Sequence, residues 1–299
     1  MTVPARFCSK CGKEVAADAN FCPNCGAAVR KEVEPPQARP QAPDLDSLSG
    51  PCVLFRSNAG PYNVGAAGKI LAKALGKPLS DVTRQMSGSR GVLADAVDAE
   101  VVRRIVPELK ALGVECLAVP LPQVIRFSEI TQLRDGKFTE SGLKCEVVTW
   151  DGWQLIERAW SDVMLVSCTQ LVSESAKVLD LGGGMLRRRE KIVTEVMRRT
   201  LLDLFLRNPL THIRMEEGVA GQEIGPDAPP THPTAYLQDV AKEVLQIVPA
   251  VNTNEGVRLL ASGAASELSS SVAFTTRQDV DRYTLWLLEL LEHGYPVPR

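Results

Sequence analysis

Two Cys-x2-Cys pairs, Cys8 with Cys11 and Cys22 with Cys25, stand near the start of the sequence with ten residues between them. Two tight turns that each present two thiolates can close the tetrahedral shell of one zinc ion. The flanks repeat too: Phe7-Cys8 and Phe21-Cys22 open the turns, and Gly12 and Gly26 follow them. Each glycine permits the positive φ that a metal knuckle commonly needs. A unit this small cannot hold itself together by apolar burial, so metal must supply its folding energy, on the order of ten kcal/mol. A redox dithiol pair or an iron site like rubredoxin's would use the same residues; the spacing favours zinc. With all four thiolates as ligands no position remains for a catalytic water, so one structural Zn2+ ion is expected.

This pattern resembles the short zinc-ribbon modules found at the start of bacterial and archaeal proteins. The resemblance covers residues 6–30 and implies a small metal-held domain. Around it Arg6, Lys10, Lys13, Arg30 and Lys31 outnumber Glu14 and Asp18. That balance suits a weak nucleic-acid contact, or a solvated surface on a protein-binding module.

The whole chain has a formal net charge of -2, so no global basic field draws it to nucleic acid or anionic membrane. Its apolar fraction of 44% and charged fraction of 23% are those of a globular protein. No apolar run has signal-peptide or membrane-span length; Thr284–Leu291, the most apolar, is too short to span. A cytoplasmic location is expected, where a CxxC pair is more often a metal site than a disulfide.

Residues 31–50 carry Pro35, Pro36, Pro40 and Pro43 without apolar periodicity and read as a flexible linker. From 51 to 120 the expected order is β-α-α-β-α-β. Cys52–Phe55 is a strand, and Val64 to Leu75 a helix stopped by Gly76. Ser80 caps a second helix carrying Val82 and Met86. After the extended Gly91–Leu93, Asp98 caps a third helix, in which Pro107 implies a kink or a local break. Val114–Val119 is the last strand. Element order and the cadence of Gly91–Val119 resemble the fold shared by the protease adaptor ClpS and the C-terminal domain of the ribosomal stalk protein, which implies a binding role. The Asn-Asp-Asp turn with which such adaptors read an amino terminus is replaced here by Ser57-Asn58-Ala59-Gly60-Pro61, so that activity does not carry over.

Residues 121–299 read as β-rich with C-terminal helices, so the fold class is α+β and multidomain. Expected strands are Gly142–Trp150, Trp153–Arg158, Val163–Leu171 and Lys191–Met197. Asp151-Gly152 marks a tight turn, and a hairpin joins 201–206 to 211–215. Their spacing suggests a small antiparallel barrel, faintly similar to the pleckstrin-homology type, with Trp160 opening a strand. Helices are expected over Tyr236–Ile247 and Asn254–Ala261, and after the capping-box variant at Thr276, ending at His293 and Gly294.

Val64-Gly65-Ala66-Ala67-Gly68-Lys69 lacks the glycine and hydroxyl of a phosphate loop and reads as a helix start. Gly182-Gly183-Gly184 followed by Arg187, Arg188, Arg189 and Lys191 is either a flexible hairpin tip or a basic patch, which Arg198 and Arg199 would extend. Cys52, Cys116, Cys145 and Cys168 fall in or beside apolar strands as small hydrophobes. The expected function is a zinc-binding, non-enzymatic adaptor with a protein partner. A nucleic-acid or ribosome-associated factor is the alternative. An enzyme with its site in 121–299 is the third reading, and His212 or His232 beside a cysteine or carboxylate would point to it.

Overall fold

The computed structural model describes residues 6–7, 14–15, 44–58, 60–149, 152–180, 190–218 and 233–298. The chain divides into two compact units, Met1–Pro40 and Gln41–Arg299. In the first, β1 (Arg6–Phe7) and β2 (Glu14–Val15) pair antiparallel, with Arg6 opposite Val15 and Phe7 opposite Glu14.

The second unit begins with Asp44–Gly50 laid against a helix further on. Leu48 is buried, and Arg103 donates to the carbonyls of Leu45 and Leu48. Then come β3 (Pro51–Arg56), α1 (Val64–Leu75), α2 (Leu79–Ser89), β4 (Val92–Asp98), α3 (Ala99–Ala111) and β5 (Cys116–Pro120), in the expected order. β3 lies between β4 and β5 and is antiparallel to both. Asn63 caps α1, its side chain accepting from the Ala66 amide, and Gly76 closes it at φ 63°. Two expectations change here. α2 starts at Leu79 behind Pro78, so Ser80 lies inside its first turn, where its hydroxyl meets Asp81. α3 runs through Pro107 without a break.

β3 reads as a continuous apolar run because both of its faces are covered. Cys52 and Leu54 pack beneath α1, α2 and α3, whereas Val53 and Phe55 join the core of the rest of the unit. Each such side chain contributes roughly 1.5–3 kcal/mol on burial.

That rest is built on one sheet. Its strands are β6 (Ile130–Thr139), β7 (Gly142–Thr149), β8 (Gly152–Arg158), β9 (Val163–Asp180), β10 (Glu190–Leu206), β11 (Thr211–Glu216) and β12 (Ala273–Phe274). They lie in the order β12-β9-β10-β11-β6-β7-β8. Between β11 and β12 the chain forms α4 (Pro233–Ile247), α5 (Glu255–Ser262) and α6 (Leu268–Ser271), and α7 (Arg277–Glu292) follows. The sheet is open, its outer strands β12 and β8 unpaired with each other, which corrects the expected barrel. Two parallel pairings between sequence-distant strands, β11 with β6 and β12 with β9, give it this form. Trp160 starts a 3-10 turn before β9 instead of opening a strand.

Residues paired across strands share a face. Phe205, Asp203 and Leu201 thus lie with His212, Arg214 and Glu216, and α7 covers that face through its contacts with Arg214 and Glu216. Leu202, Leu204, Ile213 and Met215 point to the other. Beyond Leu171 and Thr200, β9 and β10 continue as a two-stranded arm to Asp180 and Glu190. Among the described residues no helix is long and apolar enough to cross a membrane.

Candidate functional site

The paired strands β1 and β2 stand on either side, in sequence, of Cys8, Cys11 and Gly12. Residues 7–29 match the family model of a zinc-ribbon domain. The match implies zinc binding. No curated protein and no solved structure matches the chain. The four cysteines Cys8, Cys11, Cys22 and Cys25 lie outside the described residues, as do Arg187, Arg188, Arg189 and the side chain of Lys191. Among the described residues no group of His, Cys, Asp and Glu gathers as metal ligands.

The remaining cysteines are free thiols in the second unit. Cys52, Cys145 and Cys168 are buried and Cys116 is half-buried. Burial pushes the Cys116 and Cys145 thiols up to about 12, which keeps them protonated and poor nucleophiles.

His212 does meet a carboxylate. Its Nε2 is 2.8 Å from Asp203 Oδ1, and Arg214 donates to the same carboxylate through Nε at 2.7 Å and Nη2 at 3.3 Å. Arg214 Nη2 also reaches Asp281 on α7 at 3.3 Å. Burial alone would raise the Asp203 carboxyl, but the Arg214 guanidinium and His212 hold it below the usual range. The His212 ring is stacked on Phe205 and buried, and Asp203 and Arg214 are fully buried. One turn along α7, Arg277 donates to Glu216, which Arg199 holds from β10. This ladder of ion pairs clamps α7 onto the sheet. Sequence reasoning singled out His212 but missed Asp203 and Arg214. The available signal was a lone carboxylate inside Leu201-Leu202-Asp203-Leu204-Phe205-Leu206 and a lone arginine between Ile213 and Met215.

A cleft of about 920 Å³ opens where the arm leaves the sheet, lined by Asp81, Arg84, Glu174, Arg198, Asp279 and Arg282 among others. Arg282 is held by Asp95, and Asp279 serves the α7 cap. Arg198 therefore lies on this cleft, while Arg199, expected to extend a basic patch, is engaged by Glu216. The glycine-rich candidate at Gly65 is an ordinary helix start, capped by Asn63. Asn58 donates to the Gly113 carbonyl, tying the loop after β3 to the end of α3.

Proposed function

We propose that this protein is a macromolecular-interaction protein whose zinc ribbon is the recognition module. In this reading Cys8, Cys11, Cys22 and Cys25 hold one structural zinc ion and the proline-bearing stretch before Asp44 tethers residues 1–30; Asp44–Gly50, expected as linker, packs on the body through Leu48 and Arg103, and residues 51–120 and 121–299 form the rest of that body. The partner is a protein. The observation that carries the reading is the zinc-ribbon match over residues 7–29, joined to a ligand spacing that uses every thiolate and leaves no open coordination site. A tethered module raises the local concentration of its binding surface at a target that the body also touches. The test is a pull-down of the wild type beside the Cys22→Ser, Cys25→Ser variant, with bound zinc measured on both. One zinc per chain and a partner lost with it are expected; a partner retained by the zinc-free variant moves recognition to the body and overturns the reading.

A nucleic-acid contact is favoured by one observation, the excess of Arg6, Lys10, Lys13, Arg30 and Lys31 over Glu14 and Asp18 in and beside the matched segment. Binding of this kind falls steeply with salt, because phosphate neutralisation releases counterions. A gel shift at two ionic strengths measures it. If Arg187, Arg188 and Arg189 take part, reversing their charge weakens binding; if reversal has no effect, they do not.

A further inference from the structure

We propose that two copies of this chain associate through the outer edge of β8, pairing antiparallel about a two-fold axis at Leu155. β8 is bonded to β7 on one side and has no strand on the other among the described residues. The β7–β8 hairpin closes at Thr149 and Gly152 across two residues. A pair flanking a two-residue connection exchanges both of its backbone bonds, and the pattern alternates from there. Gln154, Ile156 and Arg158 therefore turn their N–H and C=O groups to β7. Trp153, Leu155 and Glu157 turn theirs outward.

Two of the usual guards are missing from this edge, and the charges it carries, Glu157 and Arg158, stand at its far end. It has no proline, and its register with β7 has no bulge. The face above it is apolar: Trp153 is 55% and Leu155 57% exposed, and Val148 beside Trp153 is 42% exposed. The Arg134 guanidinium sits 4.3 Å from the Trp153 ring centroid, and Lys144 pairs with Glu157.

The spacing of these groups selects a second copy as the occupant. A two-fold axis at Leu155 sets the outward groups of one β8 against those of the other and pairs the strand from Gly152 to Arg158 along its whole length. Leu155 then meets Leu155. Trp153 meets Glu157 of the second copy, which brings that carboxylate to the Arg134 guanidinium, and the axis repeats the contact. Other registers are worse. A shift by one residue sets outward groups against groups already bonded to β7. An axis at Glu157 would oppose two carboxylates, and an axis at Trp153 would leave Glu157 beyond the other strand's end.

The experiment is sedimentation equilibrium of the full-length, zinc-loaded chain across a dilution series reaching the micromolar range. Wild type is expected to approach twice the monomer mass. Glu157→Arg places like charges at both Arg134 contacts and should weaken association by roughly ten-fold or more. It gives up only the exposed Lys144 pair within the chain, which contributes little. Adding Arg134→Glu to Glu157→Arg should restore the dimer. Leu155→Pro should also dissociate it while leaving the β7 bonds intact, because the lost N–H points outward. Circular dichroism and a melting curve confirm that each variant is folded. A monomeric wild type, a dimer indifferent to Glu157→Arg, or a charge-swapped variant that stays monomeric overturns the proposal.

Discussion

Asp203 carries its negative charge within Leu201–Leu206, the apolar end of β10, and Arg214 and His212 on β11 neutralise and bond it. Removing one member of a buried pair leaves the other charged and desolvated, which costs about 3–5 kcal/mol. Asp203→Ala should therefore lower stability by that amount in urea unfolding, and more than Asp281→Ala, whose carboxylate is half exposed. Equal losses would show that the buried carboxylate is not the member on which the cluster depends. Gly91 is a second single-residue constraint. A Cβ there would lie 1.8 Å from Trp286 Cδ2, and the Trp286 indole N–H donates to the Arg56 carbonyl. Gly91→Ala must displace the indole and break that bond, so a loss of about 3 kcal/mol is expected. Trp286→Leu in the same chain should recover part of it. Strictly additive losses in the double-mutant cycle would contradict the contact.

At the scale of elements, α7 is the piece on which the larger core depends, and it contains a buried acid, Glu289. Its Oε1 accepts from the Ile125 amide at 2.6 Å, and His293 Nε2 lies 3.7 Å from Oε2. Burial pushes the Glu289 carboxyl up to about 7; the Ile125 amide opposes the shift and Glu292 adds to it. A carboxyl raised in the folded state binds its proton more tightly there than in the unfolded chain. Its contribution is complete below the unfolded value of about 4.3 and is lost as pH rises through about 7. Glu289→Gln keeps the Ile125 bond and cannot ionise. Relative to wild type it should gain on the order of 2–3 kcal/mol between about pH 5 and about pH 8 in urea midpoints. His293 is pushed down by burial and acts in the opposite sense, but wild type and variant share it. A pH-independent difference would mean that Glu289 is ionised in the fold.

Elements whose signals are local were legible in the sequence. Gly76 and the Thr276 cap each decide a backbone conformation within four residues, and both stand where they were read; the turn read at Asp151-Gly152 falls between β7 and β8, with Asp151 outside the described residues. β6 was missed because a bulge between Leu133 and Asp135 interrupts its alternation. The far end of β9 was missed because Val172-Ser173-Glu174-Ser175 has no apolar face; those residues are strand by virtue of their partner alone. β10 was read as two strands, Lys191–Met197 and 201–206, because Arg198-Arg199-Thr200 interrupts the apolar pattern between them. The open sheet follows from parallel pairings between distant strands, for which one sequence carries no signal. The ribbon was legible because its constraint is chemical and lies in four residues.

For the whole molecule, the question is whether residues 51–120 and 121–299 melt together. The sequence reads as two domains because the first segment has a complete β-α-α-β-α-β order and its own helices. In the structure its sheet has two buried faces. One belongs to α1, α2 and α3, and the other supplies Val53, Phe55, Val92, Leu117 and Val119 to the core that holds α7 and the seven-stranded sheet. Exposing that second face would strip five apolar side chains, at roughly 1.5–3 kcal/mol each, and break the Trp286–Arg56 and Arg282–Asp95 bonds. That sum is comparable with the entire stability of an ordinary domain, about 5–15 kcal/mol. Neither part should persist once the other has unfolded. Residues 41–299 are therefore expected to unfold in one transition, with far-UV circular dichroism and tryptophan fluorescence giving the same midpoint. The fluorescence is informative because Trp286 reports the shared face while Trp153 and Trp160 report the sheet. Gly91→Ala, which loosens the shared face, should separate the two midpoints. Separate transitions in the wild type would mean that α7 packs on the three-stranded unit too weakly to couple them, and coincident midpoints in both proteins would place the coupling in contacts other than Trp286.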